Sequence, residues 1–409
     1  MANSFLTPSV FAQEGLMLLE NELVLGNKVH SDLSSEFAMV GDTISVRRPT
    51  AYLGQDDNLD VTSYNEDITQ GKTTIVMNKT LSVKVNISAL DRTLSFDRTV
   101  EDIIKPVAIK FKDKIETSLA SLYTSLYWFS GTPGTVPSTF LSLANAGAIM
   151  TDAAIPSDRF AVHGTDATAN LADGLKGVYV QNTAKTAFEK ATIGFYGGFD
   201  NYQSVHAPTH TVGTATGTPL VNGGSQNVTY AASKDTWTQS LITDGWTNSV
   251  TGILKAGDVF TIAGVYAVNP VSKATTNRLQ TFVVTADANS GASTGPATLT
   301  ISPPIITSGA YQTVTAAPAD NAAITVKTGT GGTAYKQSLL LHPKAFALVT
   351  RPLNIPQGTG LKTSTKTGNK VTISCSEWVD GNTLNHYMRF DMLWGVKCLD
   401  PRLGMRLTN

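Results

Sequence analysis

The spacing of apolar residues changes period repeatedly along this chain, and each change marks an element. Over residues 9–25, Leu16, Leu18, Leu19 and Leu23 are interleaved with Glu14, Glu20 and Glu22 behind Ser9. That pattern predicts a helix with Ser9 as its N-cap candidate, an arm that lies on something else. "GDTISVRRP" (41–49) alternates like a strand and stops at Pro49, which has no N–H for a ladder. After a polar, acidic stretch (50–70), Ile75, Met77, Leu81, Val83, Val85 and Ile87 resume a period of two. Strand, polar excursion and returning strand predict an extended hairpin. A loop so long with so few apolar residues has no core of its own, so it is either mobile or covered by another chain.

The period then lengthens. In "TVEDIIKPVAIKFKDKIETSLASLYTSLYWFS", Ile104, Val107, Phe111, Ile115, Leu119, Leu122 and Leu126 fall three and four apart, which predicts one long amphipathic helix over 99–129. Thr99 with Asp102 resembles a capping box. Pro106 either kinks this helix or starts its main part. Beyond it come a strand at Phe160–His163 and a short helix near 167–174. From about 210 to "KTGTGGTAY" (327–335) the composition turns to Thr, Ala and Gly. Six strand candidates follow one another there: 226–231, 257–263, 265–268, 279–286, 297–302 and 322–327. Closely spaced strands with no helix between them predict a small antiparallel barrel or sandwich inserted in an α+β domain that resumes in "SLLLHPKAFALVTRPL".

Composition narrows the function classes. The 409 residues are 41% apolar and 15% charged, which is globular, and 31 Lys+Arg against 32 Asp+Glu leave a net charge of −1. A protein whose main task is neutralising phosphate would be basic. No basic n-region precedes an apolar core at the start, and no stretch approaches the roughly 18 apolar residues of a membrane span, so the expectation is a soluble, cytoplasmic protein without a membrane partner. Cys375 and Cys398 are too few for a zinc cage or a disulfide framework. Sequons at Asn78, Asn86 and Asn227 are chance matches without a secretory signal.

Candidate chemistry is thin. "GKTT" (71–74) lacks the glycine of a phosphate loop, Glu66 standing in its place, and it lies between strands. "GTGG" (329–332) is a bend. His206 and His210 have Pro208 between them, which breaks the helical face a shared metal would need, and they are expected as surface residues of a turn. Asp56, Asn58, Asp60 and Asp67 fall in a calcium-loop register, but Val61 replaces the glycine and Asp67 is shorter than the usual glutamate, so a solvated acidic loop is expected. No GxSxG elbow or placed acid–base pair nominates a catalyst. No cofactor and no metal site are expected.

The order of arm, long hairpin, long amphipathic helix and interrupted α+β domain, with "GDTISVRRP", "LSVKVNISALD", "GDVFTIAGV", "LQTFVVT" and the ending "LWGVKCLDPRLGMRL", resembles the major capsid proteins of tailed bacteriophages with the HK97-like fold. Within that family it is most similar to the short-tailed phage branch whose coat carries an inserted β-barrel domain. The resemblance implies an N-terminal arm (1–40), an extended E-loop hairpin (41–98), a spine helix with the first part of the P- and A-domains (99–210), the inserted barrel (211–334) and the remainder of those domains (335–409). It implies a shell subunit, not an enzyme, that self-assembles as hexamers and pentamers in the bacterial cytoplasm and ends in the virion. Scaffolding, portal and decoration proteins are the implied partners, with packaged double-stranded DNA as a non-specific neighbour. Arg47, Arg48 and Lys72, with Asp56, Asp57, Asp60, Glu66 and Asp67 of the acidic run, are the candidates for loop contacts between subunits. Their alternative is a set of solvated loop charges, since surface ion pairs contribute only about 0–1 kcal/mol. No lysine–asparagine cross-link is expected.

Two rival readings stand beside this one. A β-rich carbohydrate-binding or hydrolytic protein would use Trp237, Trp246 and Tyr266 as exposed sugar platforms, and glycan binding would reveal it. A self-assembling tail or sheath protein would form tubes instead of closed shells.

Overall fold

A computed structural model describes residues 8–35, 43–54, 66, 68–87, 104–174, 194–355, 361–368, 370–383 and 385–408. The chain divides into two compact units, one of Met1–Ser45, Thr74–Ala120 and Phe346–Lys397, the other of Val46–Thr73, Ser121–Ala345 and Cys398–Asn409.

In the first unit, helix α1 (Pro8–Glu22) and helix α2 (Lys105–Ala120) pack on one another. Phe11, Ala12, Leu16 and Leu19 of α1 are buried, and α1 also packs on strands β17 (Lys362–Thr367) and β18 (Thr372–Val379). The arm's apolar stripe is thus covered by its own chain. Those strands belong to a sheet ordered β16 (Phe346–Arg351), β19 (His386–Cys398), β18, β17, with β3 (Lys79–Ile87) also paired antiparallel to β19 from Lys79–Trp394 to Ile87–His386. Gly395 is required at its place, because a Cβ there would lie 2.6 Å from the Val76 carbonyl oxygen.

The expected helix over 99–129 is shorter than its apolar spacing suggested. Residues 99–103, with the Thr99–Asp102 capping box, lie outside the described residues. Pro106 stands in the first turn of α2, where a missing N–H costs nothing, which decides between the two readings of it. After Ala120 the chain tightens into a 3-10 turn (Ser121–Ser125) and then enters strand β4 (Trp128–Ser130). Ser121, Thr124 and Ser125 compete for backbone hydrogen bonds and favour helix ends. Sixteen residues at about 1.5 Å each give α2 a length of roughly 24 Å.

Among its described residues, the second unit holds two large sheets. One is mixed and ordered β4, β20 (Gly404–Thr408), β15 (Ala334–Leu341), β5 (Phe160–His163), β7 (Phe199–Gln203), β6 (Gly194–Tyr196), with β8 (Thr209–Thr211) paired to the first residues of β15. Helix α3 (Phe140–Asp152) contributes Leu143, Ala146 and Met150 to its core, and helix α4 (Thr165–Gly174) contributes Leu171.

The other sheet is antiparallel and ordered β14 (Ile324–Val326), β11 (Val259–Val268), β12 (Thr275–Val284), β13 (Ala297–Ser302), β10 (Gln239–Trp246), β9 (Gly217–Val221). A bridge between Leu220 and Ala323 joins its two edges, so the sheet curls into a barrel. Phe260, Ile262, Phe282, Leu299 and Ile301 fill the inside without exposure, and Phe260 faces Phe282 across the strands with ring centroids 5.8 Å apart. The two candidates 257–263 and 265–268 are one strand, β11, kinked at a bulge where Gly264 takes φ +79°. Candidate 226–231 is no strand: Tyr230–Ser233 is a helical turn, α5. None of the six candidates covers strands β9 and β10. In β10 the inward positions include Gln239 and Thr243, so burial alternates where hydrophobicity does not.

Candidate subunit-contact site at the foot of the long loop

Strands β1 (Thr43–Arg47) and β2 (Lys72–Val76) pair as a two-stranded sheet and form the foot of the long loop. Their alternation turns Thr73 inward and leaves Arg47 and Lys72 exposed. One further rung, from the Arg48 N–H to the Gly71 carbonyl at 2.8 Å, carries the ladder up to Pro49.

Arg48 does not project as Arg47 does. It is half-buried, and its guanidinium lies 5.6 Å from the ring centre of Trp237, which is 3% exposed. The Arg402 guanidinium lies 5.2 Å from the same ring. Two cations on one indole repel each other, and the Asp400 carboxylate, whose charge both feel, offsets this. It receives the Arg402 side chain at two points, Nε at 2.9 Å and Nη2 at 2.7 Å, and caps the following turn by accepting the Arg402 N–H. Burial alone would raise the Asp400 carboxyl, but the charge and hydrogen bonds of Arg402 outweigh it and hold the group below the usual carboxylate range. Burial lowers the pKa of Arg48, and Asp400 partly offsets this. Each cation–π contact contributes roughly 0.5–2 kcal/mol according to its desolvation.

Of the other candidates, Lys72 donates its backbone N–H to Asp235 Oδ1 at 3.0 Å while its side chain stays exposed. The Glu66 carboxylate accepts the N–H groups of Leu53 at 2.9 Å and Gly54 at 3.0 Å, which closes a turn at one side of the loop. Asp56, Asp57, Asp60 and Asp67 fall outside the described residues. Next to these charges stand Tyr52, Leu53 and Ile68, exposed by 54%, 52% and 69%. The foot therefore presents Arg47, Lys72 and an apolar patch outward, and turns Arg48 into its own chain.

Sequence reasoning missed Trp237, Asp235, Asp400 and Arg402, which are 160 or more residues distant from the loop in the chain. It also placed the sugar-platform aromatics wrongly. Trp237 and Trp246 are each 3% exposed, and the Trp246 Nε1 donates to Thr243 inside the barrel; only Tyr266 is open, at 41%. His210 is likewise no surface residue. It is 2% exposed on β8, with Nε2 2.8 Å from Asp258 and Nδ1 3.0 Å from the Tyr123 hydroxyl. Asp258 also accepts from Gly213, Lys255 and Thr328, so this network anchors the start of β11. Among the described residues no cluster of metal-binding side chains occurs, and no helix is long and apolar enough to cross a membrane.

The family model described as P22 coat protein, gene protein 5, matches residues 1–409. A major capsid protein of Acyrthosiphon pisum secondary endosymbiont phage 1 is 26% identical over 378 residues, which cover 89% of this chain and 88% of that protein. Among solved structures, one from Mycobacterium phage Che8 is similar at 11% identity and a TM-score of 0.44, covering 94% of this chain and 91% of its own. The CUS-3 coat protein I-domain is 30% identical at a TM-score of 0.20, covering 28% of this chain and 98% of its own.

Proposed function

The chain belongs to the P22 coat protein family, and from that premise we propose that it builds the icosahedral shell around the double-stranded DNA of a tailed phage. It is a major capsid protein, a structural component of the virion that self-assembles into multimeric shells, and not an enzyme. The observation that carries this reading is the family match over the whole chain.

The finer assignments follow the sequence reading. Residues 1–40 act as the N-terminal arm, 41–98 as the E-loop hairpin, 99–210 and 335–409 as the spine helix with P- and A-domain material of an HK97-like subunit, and 211–334 as the inserted barrel. Copies close as hexamers and pentamers on a scaffolding protein in the host cytoplasm. A portal protein and a decoration protein are further partners, and the net charge of −1 suits a container that holds DNA without binding it tightly. Arg47 and Lys72, exposed at the loop foot, are the described charges that reach a neighbour, with Glu66 and the acidic residues Asp56, Asp57, Asp60 and Asp67 as their counterparts. Arg48, engaged with Trp237, supports the loop from within its own subunit.

Negative-stain electron microscopy of the protein, expressed alone and with a scaffolding protein from the same genome, tests the reading. Closed polyhedral shells or partial spirals are expected. Tubes would point to a tail or sheath protein, and monomers under every condition would remove the shell assignment.

A further inference from the structure

One side chain of the inserted barrel bridges the two chain segments that continue the loop foot beyond β1 and before β2. The Tyr311 hydroxyl accepts the Ala51 N–H at 3.1 Å and donates its proton to the Thr69 carbonyl at 3.2 Å. A hydroxyl has one proton and two lone pairs, so it can serve one outgoing donor and one returning acceptor at once. It thereby acts as a side-chain rung above the Arg48–Gly71 rung of the backbone ladder.

The tyrosine is itself held. Its ring stacks on Tyr230 with centroids 3.5 Å apart and planes 6° apart. Around this stack the barrel grips the returning strand at two more points. Asp235 accepts the Lys72 N–H at 3.0 Å, and Gly71 passes so close that a Cβ on it would lie 2.2 Å from the Lys234 carbonyl oxygen. The residues pinned by Tyr311 are chain neighbours of the exposed apolar ones: Tyr52 and Leu53 follow Ala51, and Ile68 precedes Thr69.

We infer that Tyr311 is a positioning residue for assembly, by which the inserted barrel fixes the separation and direction of the loop's two feet and so aims Tyr52, Leu53 and Ile68 at a second copy of this chain. The second copy is the occupant because a self-assembling shell places neighbours of one sequence against every subunit. The inference rests on the coat-protein reading, in which the loop reaches a neighbour. It assigns the barrel a task inside its own subunit and gives that task to one hydroxyl group.

The full-length protein with Tyr311→Phe, which keeps the ring stack and loses only the hydroxyl, tests it beside Tyr266→Phe, a barrel change that touches no loop residue. Three quantities are read: the melting temperature, hydrogen exchange at the Ala51 amide in the dissociated subunit, and the diameter distribution of shells. Tyr311→Phe is expected to melt like the wild type, to exchange about tenfold faster at Ala51, as loss of one hydrogen bond implies, and to give broken or mixed-size shells. Tyr266→Phe is expected to match the wild type in all three. Unchanged exchange at Ala51, or faster exchange with shells of wild-type diameter, overturns the inference. Should Tyr311→Phe unfold the barrel, Ala51→Pro removes the donor from the loop side and must give the same assembly defect. A wild type that forms no shells would instead remove the coat reading, while the exchange measurement still decides whether the pin exists.

Discussion

His163 shows how one buried residue couples this protein to pH. It is fully buried on β5, and its Nε2 lies 2.9 Å from the Asn201 side-chain oxygen. The Asn201 amide nitrogen donates to the carbonyls of Gly194, Tyr196 and Phe199, so its oxygen must face the imidazole and Nε2 must carry the proton. Burial lowers the pKa of His163, with the Asn201 hydrogen bond opposing in part. Above the unfolded value of about 6.5 neither state is protonated and the full stability is present; as pH falls through that value the unfolded chain takes up a proton that the folded chain refuses. Stability is therefore expected to fall by up to about 1.4 kcal/mol per pH unit below roughly pH 6.5. Urea unfolding at pH 7, 6 and 5 checks this: His163→Gln should be less stable at pH 7 but flatter across the series, and equal slopes would place the acid sensitivity elsewhere. Little of this was legible beforehand, because a histidine's burial depends on the strands on either side of it and β5 and β7 are joined across 35 intervening residues. Arg406 was equally hidden. It is fully buried, packed over Tyr123 and Phe129 and bonded to the Gly257 carbonyl at 2.7 Å, and burial pushes it down to about 10.

Helix α2 owes its inner face to Val107, Phe111, Ile115 and Leu119, but its tie to the arm is a charge. Glu116 is fully buried and accepts the N–H groups of Val24, Leu25 and Gly26 at 2.9, 3.1 and 3.1 Å, the donors left open where α1 ends and the chain turns. From the other side Lys370 donates to the carbonyls of Asn27 and Val29 at 2.7 and 3.0 Å. Replacing Glu116 by alanine leaves three amides unpaired, at about 1–3 kcal/mol for each that water does not reach. Glu116→Ala is expected to lower unfolding free energy by about 3 kcal/mol and to open the 24–29 turn to protease, and resistance equal to the wild type would show that the turn is held by packing alone. The apolar stripe of this helix was legible from its spacing, as were Phe160–His163 and 297–302, because there burial and hydrophobicity coincide. The end of α2 was not, since Leu122 and Leu126 continue the spacing while the hydroxyl residues between them abandon the helix.

At the scale of the molecule, the barrel has a core of its own, while Val259, Ala267 and Val283 of its strands pack into the core of the mixed sheet. Val221, Leu241, Phe260, Phe282, Leu299 and Ile324 bury one another inside a closed ring of strands, and about 120 residues is an ordinary domain size. Residues 211–334 expressed alone are therefore expected to fold and melt cooperatively, with Trp246 giving a near-ultraviolet signal that vanishes in one step. A broad, non-cooperative melt would show that the barrel needs the rest of the chain. The presence of this module was legible from its change in composition, but its contact with the loop foot was not, since nothing local marks Tyr311, Trp237 or Arg402 as partners of residues 48–72. Because the bridge at Leu220 and Ala323 brings the barrel's first and last strands together, and because Thr209–Thr211 and Ala334–Lys336 form a short antiparallel neck beside it, the module begins and ends at one spot. Such a neck makes this ladder the splice point for exchanging the module, and a replacement domain must also supply what Tyr311 does for the loop foot and what Asp258 does for His210.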